Sequence, residues 1–597
     1  MQEGRCLTRK IERSFKMPSL DQYKTYETDI LIVGGGWAGV FTALSINDLG
    51  SRAMIAEKSP SIKRSGGLGP GIADIGLPVY PDGSTSDELI RYYVMDILDA
   101  TEYMADPHVL QAFAENGPRM LKYIEQMGIE YDRDEKGLLV MQPGKGQYSH
   151  RPYEIFFKDA NTVKPRIAQH LLKGKMTEVV ASCMITRLLM DEGRVSGAVG
   201  INTRTGEVMV FKAKAVIMTT GPGHRTYLHP TGIFWNSWNC PYNTFDGLIA
   251  AYEAGAELTG MEFTEPTIFP KDIGVPGTNP WLASGGYIIN AKGERIMHKY
   301  DHRGENAPRA RITWAITREV EAGNGPIYLD LRHLPEKKIQ KLYEVLHGER
   351  PSLDLYFSSR GLDYRRTPIE IEVSERTGHQ GGVSGVIINP KAETNVKGLL
   401  AAGDIVGTAG IDAGGIPCAG GVVMGNIAGK TAVEEARRLG FRKIDEKQVN
   451  SERKRVMAPV EKKDGLSWLP FNEKIANIMG NYVNYPRNGS GLARGLERLE
   501  NLKTELDNLS AETVREQFHC LEVVNILESG LLSARAALER KESRLGIEHF
   551  RSDYPFRDDV NWIKFVVLRK GRDGKIEAST REIERLYWGH QQIKRGE

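Results

Sequence analysis

Five cysteines, Cys6, Cys183, Cys240, Cys418 and Cys520, are scattered over 597 residues, and no two stand in C-x-x-C spacing. Their scatter argues against an iron–sulfur cluster or a zinc site held within this chain, so no metal site is expected. The odd, sparse count also argues against a secreted disulfide framework and fits a reducing cytoplasm. No apolar run approaches the roughly 18 residues of a membrane span. The opening MQEGRCLTRKIERSFKMPSL is basic without an apolar h-region, so residues 1–25 read as a disordered leader rather than a signal peptide. Met1 and Met17 both stay open as starts. Charge of one sign is lacking too: 79 Lys and Arg against 77 Asp and Glu leave +2, which gives no bulk signal for nucleic acid. Solenoid repeats and low-complexity tracts are missing.

Glycine is what the chain has in excess, with 64 residues against a usual share of about 7%. From TDILIVGGGWAGVFTALSINDLG the sequence reads strand, glycine turn, helix, then a second strand AMIAE. Apolar strand runs return much later, at GAVGI, AVIMTT and GLLAAGDIVG. Strands so far apart predict one α/β nucleotide-binding domain, Rossmann-like, split by insertions into residues 26–266 and 369–440. The turn-rich stretch 267–368 reads as an inserted α+β capping domain. Residues 441–597 read as a helical domain and tail, because Leu521, Val524, Leu527, Leu531, Ala534 and Leu538 recur at helical spacing.

Gly34-x-Gly36-x-x-Gly39 follows the apolar strand end and opens a helix, with Glu57 about 20 residues on. Gly34 permits the tight turn, Gly36 lets backbone approach a pyrophosphate, and Gly39 lets helix and strand pack closely. The helix N-terminus offers unpaired N–H groups to phosphate oxygens. Glu57 suits ribose hydroxyls and disfavours a 2′-phosphate. Asp404, after Gly403 at the end of GLLAAGD, suits the ribityl or phosphate-side hydroxyls of FAD and tilts the reading from nicotinamide to flavin.

These motifs, together with GAELTGMEF, KGERIM, APRA, MGNIAGK and RKESR…HFRSDYPFRDDVNWIK, resemble the fumarate reductase/succinate dehydrogenase flavoprotein superfamily over nearly the whole chain. KRSGGLGPG, VKPRIAQHLLK, SGAVGINTRTGEVMVFKAKAVI and WNSWN are most similar to the adenylylsulfate reductase alpha-subunit branch. The resemblance implies a glutathione-reductase-type FAD domain. In respiratory fumarate reductases a histidine just beyond the acidic residue is bonded to the flavin; here no histidine stands from Glu57 to Asp74, which implies FAD held non-covalently. The implied FAD contacts are Gly34, Gly36, Trp37, Ala38, Gly39, Glu57, Lys58, Arg64, Ser65, Gly66, Gly67, Thr219, Thr220, Gly221, Asp246 and Asp404. Cys418, Ala419 and Gly420 open a helix whose positive end stabilises the reduced, anionic flavin.

For catalysis the resemblance points to Arg309 in NAPRAR, matching the arginine that protonates substrate carbon in fumarate reductases, and to His379 in ERTGHQGG. Departures are equally informative. Ala310 replaces the aspartate after that arginine, MEFTEPTIFP lacks the family histidine, and GIDAGGIPCAGG lacks the substrate-carboxylate arginine. A dicarboxylate needs paired cations to offset its desolvation, so fumarate is disfavoured. Lys271 is the sole cation where adenylylsulfate reductase carries its arginines. Arg309 paired with Glu305, or Trp235 and Trp238 used only for packing, remain the structural alternatives. The implied function is a cytoplasmic FAD oxidoreductase subunit exchanging electrons between a small molecule and an iron–sulfur, ferredoxin-like subunit or diffusible carrier. Its alternatives are an enoate or ketone reductase using Arg309, an adenylylsulfate reductase alpha subunit, and a catalytically decayed assembly subunit.

Overall fold

A computed structural model describes residues 23–66, 74–143, 151–228, 231–235, 240–275, 281–282, 284–349, 351–363, 365–379, 382–410, 417–584 and 586. Its central sheet is built on the strand Lys24–Val33, whose second half, Ile30 to Val33, is buried on both faces. A continuous apolar run of this kind is what a parallel strand covered by helices requires. It pairs in parallel with Ala53–Glu57 (Leu31 opposite Met54) and with Val208–Met218 (Leu31 opposite Val216). Thr177–Ala181 adds in parallel beyond Ala53–Glu57.

Val208–Met218 divides its other edge between two partners. Residues Val208 to Lys212 face the antiparallel strand Arg194–Asn202, and Val216 to Met218 face Leu399–Ala401 in parallel. A strand from far along the chain therefore completes the edge left free where the antiparallel meander ends. This is how the insertion returns to its parent sheet.

The inserted part forms an antiparallel sheet in the order Thr264–Pro270, Ile369–His379, Ile327–Asp330, Tyr287–Ile289, so it reaches past the expected 267–368 at both ends. It is covered by the helices Arg309–Glu321, Glu336–Glu349 and Pro351–Ser359. Ile268, Ile288, Ile312, Leu329, Leu353 and Ile371 form a hydrophobic core of its own, apart from the main one.

Beyond residue 440 come the helices Glu446–Glu461, Trp468–Ile478, Gly489–Lys503 and Val514–Glu539. The last is capped by a reciprocal Thr513–Glu516 box. Leu521, Leu527, Leu531 and Ala534 are buried, while Val524 and Leu538 are partly so. The helix is covered almost all round, more than one apolar stripe suggests. The helical domain expected here also carries strands: Lys564–Lys570 and Ile576–Glu582 form a β-hairpin that pairs with Leu258–Thr259 of the body. Its tip is turned by Gly574 at φ +80, and the hairpin ties the C-terminal module to the sheet domain.

The close contact that positions the site is between the helices Trp37–Asp48 and Pro417–Arg438. Gly421, Gly425 and Gly429 present a bare stripe to Ala38, Thr42 and Ser45. A Cβ at Gly425 would lie 2.5 Å from the Ala38 carbonyl oxygen, and one at Gly429 2.7 Å from that of Thr42. The two axes approach as closely as they do because no side chain intervenes. Gly425→Val should therefore cost about 3 kcal/mol or more through overpacking, read as a lowered thermal midpoint. Gly440→Ala, where an added Cβ meets open space, should leave the midpoint unchanged.

Candidate functional site

Both of those helix N-termini open on one cleft, with about 990 Å³ of space including its solvent-open mouth. Gly34, Gly36, Trp37, Ala38, Glu57, Lys58, Gly66, Thr219, Thr220, Gly221, Asp246, Asp404 and Gly421 all line it. Gly34 sits at φ +102, and a Cβ there would lie 2.7 Å from the Thr219 carbonyl oxygen. A Cβ at Gly39 would lie 1.9 Å from the Gly34 carbonyl oxygen. The glycine turn therefore owes its shape to these bare backbones.

Several expected contacts are committed within the chain. The Glu57 carboxylate accepts from the amides of Gly35 and Ser59, so it braces the turn while lining the cleft. The Thr219 hydroxyl donates to the carbonyls of Val33 (2.9 Å) and Gly34 (2.7 Å). The Ser65 hydroxyl donates to the Gly35 carbonyl at 2.6 Å. Arg64 is exposed and outside the cleft lining. Ala419 and Gly420 lie in the first turn of Pro417–Arg438, and Cys418 is buried there. Burial first, and then Asp74 and Asp404, push the Cys418 thiol well above its usual range. Gly67 lies outside the described residues, as does Trp238.

Lys58 departs most from expectation. Its ammonium is held by the Asp246 carboxylate (2.7 Å), Glu522 (2.9 Å) and the Thr244 hydroxyl (3.0 Å). Asp246 is also bound by Asn525 at 2.8 Å. Glu522 in turn meets Arg225 at 2.8 Å and His519 Nδ1 at 2.8 Å. Burial alone would raise the Glu522 carboxyl, but Arg225, Lys58 and His519 outweigh it and hold it down at about 2. Lys58 and Asp246 thus serve an ion network joining the cleft wall to the long C-terminal helix. Glu522, Asn525 and Thr244 were not among the residues the motifs singled out. The available signal was a carboxylate and an amide on a helix otherwise buried with apolar residues. Trp235 lies beside this network, over Arg225 and against Tyr242, and is 40% exposed.

In the capping sheet, Arg309 opens its helix and is buried, with Nη1 3.9 Å from Oε1 of the fully buried Glu265. The sequence alternative of a Glu305 partner does not hold, because Glu305 is engaged by Arg295 and by the Ile288 amide. Lys271 is paired with Glu370 at 2.6 Å on the exposed sheet edge. His379 ends its strand with its Cα opposite Thr264, next in sequence to Glu265. Sheet register therefore sets the His379 backbone beside the strand that carries Glu265, the carboxylate that the Arg309 side chain approaches.

A two-part nucleotide fold, a bare glycine cradle, two helix N-termini and a buried acidic residue at a strand end define a flavin-dinucleotide oxidoreductase. A family model described as an FAD binding domain matches residues 29–416, and one described as the fumarate reductase flavoprotein C-term matches 472–594. A fumarate reductase (CoM/CoB) subunit from Methanothermobacter marburgensis is 28% identical over 570 residues, 91% of this chain and 97% of that one. An uncharacterised FAD-dependent oxidoreductase of Methanocaldococcus jannaschii is 27% identical over 544 residues, 89% of this chain and 94% of its own. Adenylylsulfate reductase of Archaeoglobus fulgidus superposes with a TM-score of 0.83 at 24% identity, covering 96% of this chain and 99% of that chain. A variant of E. coli quinol fumarate reductase gives 0.81 at 24% identity, covering 94% and 97%. The chain belongs to the fumarate reductase/succinate dehydrogenase family of FAD-dependent flavoprotein oxidoreductases, and FAD is its cofactor.

Glu522→Gln should destabilise the protein by about 3 kcal/mol or more, because it takes the carboxylate from the fully buried Arg225 and leaves Lys58 with the Asp246 carboxylate alone. A depressed carboxyl contributes stability above its unfolded value of about 4.3 and loses it as pH falls toward about 2. Acid unfolding curves should accordingly lose part of their pH dependence in Glu522→Gln. Acid precipitation of the native protein should leave the yellow colour in the supernatant, since Glu57 to Asp74 holds no histidine; colour fixed to the pellet would show a covalent link.

Proposed function

We propose that this flavoprotein moves electrons between a small substrate carrying less charge than a dicarboxylate and a separate electron carrier, an iron–sulfur subunit by preference. Bound FAD supplies two-electron chemistry at its flavin N5. The chain supplies the cradle for its phosphates and, in the capping sheet, a buried Arg309–Glu265 pair to hold and deliver a proton.

The observation that carries this reading is that pair. A free guanidinium keeps its proton above pH of about 12, so an arginine donates only where a neighbouring group takes part in the transfer. Glu265, 3.9 Å from the Arg309 guanidinium, supports that assignment, and Ala310 leaves no carboxylate next in sequence. The same pairing leaves little positive charge for a doubly anionic ligand, and Lys271 is turned to Glu370 at the edge. A separate carrier is supported by the scattered cysteines and by relatives whose names describe them as subunits. Among the described residues no helix is long and apolar enough to cross a membrane, and a cytoplasmic location is proposed on the cysteine usage.

Turnover by flavin reoxidation should be measured with neutral and monoanionic enoates and with fumarate. The uncharged and singly charged compounds should react faster. Arg309→Ala should lower turnover by about 10²- to 10⁴-fold with FAD content unchanged, and Glu265→Gln should lower it in the same direction. Unchanged turnover in Arg309→Ala removes the proton-delivery role. Bleaching of the flavin band by sulfite, with no enoate accepted, would favour the adenylylsulfate reductase reading. Capture of native partners should bring down a protein with broad visible absorbance; a flavoprotein that comes down alone argues for a diffusible carrier.

A further inference from the structure

Lys164, the second residue of the VKPRIAQHLLK motif, has no role among the implied FAD contacts and does not line the cleft, yet its side chain is fully buried. It stands on the helix Ala160–Lys173, on the same buried face as Val163, Ile167, Ala168 and Leu171. Its Nζ donates to three carbonyl oxygens: Gly35 at 3.1 Å, Ile62 at 3.0 Å and Ser65 at 3.0 Å. An ammonium has three N–H donors, and here each finds one acceptor. The acceptors come from two segments, the glycine turn after the first strand and the loop after Glu57.

Peptide planarity gives those bonds a consequence on the other side. In a trans peptide the C=O of one residue and the N–H of the next point in opposite directions. Drawing the Gly35 carbonyl back onto Lys164 turns the Gly36 N–H forward, and drawing back the Ser65 carbonyl does the same for Gly66. Gly36 and Gly66 both line the cleft. They also face one another, since a Cβ on Gly66 would lie 3.4 Å from the Gly36 Cα. No hydrogen bond from either amide to another group of the chain is present among the described residues. Two forward-turned, unengaged amides on bare glycines, backed by a buried cation, form an anion-binding nest.

We propose that Lys164 is the positioning residue of the phosphate cradle: its ammonium, without touching the cofactor, aims the Gly36 and Gly66 amides at the FAD pyrophosphate and makes cofactor retention depend on its own proton. A neutral amine has only two N–H groups and no charge, so losing that proton frees one carbonyl and removes the positive backing. Burial lowers the Lys164 ammonium to about 8, with Glu57 and then Cys418 acting against that fall. The titratable groups that face it are Glu57, from the end of its strand, and Cys418, from the first turn of Pro417–Arg438. Cys418 stays a neutral thiol through this range, and Asp74 and Asp404 lie beyond it. A bound pyrophosphate favours the charged ammonium, so binding raises the proton affinity of Lys164. Affinity is then full below about pH 8 and falls as pH rises above it.

The test uses the full chain stripped of flavin and the quenching of added FAD fluorescence. Wild-type Kd should be level near pH 7 and rise by up to tenfold per pH unit above about pH 8. Lys164→Met should bind FAD about 10- to 100-fold more weakly at pH 7, and its Kd should no longer follow pH in that range. A Lys164→Met protein with wild-type Kd, or a wild-type Kd that stays flat up to about pH 9.5, overturns the proposal. If Lys164→Met does not accumulate folded, calorimetry of the wild type at about pH 8.5 in two buffers of different ionisation enthalpy decides it. Uptake of about half to three-quarters of a proton per FAD supports the role, and no uptake overturns it.

Discussion

The structure depends on how closely bare backbone lets its elements approach around one cleft. Gly39 packs against the Gly34 carbonyl, Gly34 against Thr219, and Gly421, Gly425 and Gly429 against the helix that follows the glycine turn. A Cβ would clash at Gly34, Gly39, Gly425 and Gly429 and be tightly crowded at Gly421, and together these contacts set two helix N-termini on one wall. The amides and dipole ends of those helices give anion recognition with no unpaired lysine or arginine in the lining among the described residues. Glycine content, the first excess in the composition, is therefore a requirement of the cofactor site and of the helix packing together.

The cleft's local logic was open to reading in the sequence because it is local. The turn, the helix it opens and the acidic residue at the next strand end lie within 30 residues, and each step is fixed by backbone geometry. Long-range matters were not legible. The hairpin Lys564–Lys570/Ile576–Glu582 alternates weakly and is held by pairing with Leu258–Thr259, some 300 residues away in sequence. Glu305 is the carboxylate close to Arg309 in sequence, whereas the fold brings Glu265 to it from a neighbouring strand and gives Glu305 to Arg295. Proximity in sequence is a poor guide to which carboxylate a buried arginine meets.

Buried charge is handled here in two distinct ways. Lys58 and Arg225 are neutralised by the carboxylates Asp246 and Glu522, and the network welds the C-terminal helix to the cleft. Such a pair is stabilising only while complete, since each member alone carries a large desolvation penalty. Lys164 instead is solvated by carbonyl dipoles. That arrangement offsets less of the desolvation, which is why its proton affinity falls while that of Lys58 rises. The same burial thus produces an inert cation in one place and a titratable one behind the phosphate cradle.

Charge balance at the capping sheet bears on substrate choice in the same terms. Arg309 is matched by Glu265, so the pair presents a ligand with little net charge, and Lys271 is neutralised by Glu370. Desolvating two carboxylates without two free cations is costly by several kcal/mol each. On the reading proposed above, a ligand with one carboxylate, or with a carbonyl in its place, avoids most of that penalty, and Arg309 is the residue assigned to deliver its proton. Under that proposal, a change from dicarboxylate chemistry to a less charged substrate needs no new scaffold. It turns on which arginines keep a carboxylate partner and which positions no longer carry one.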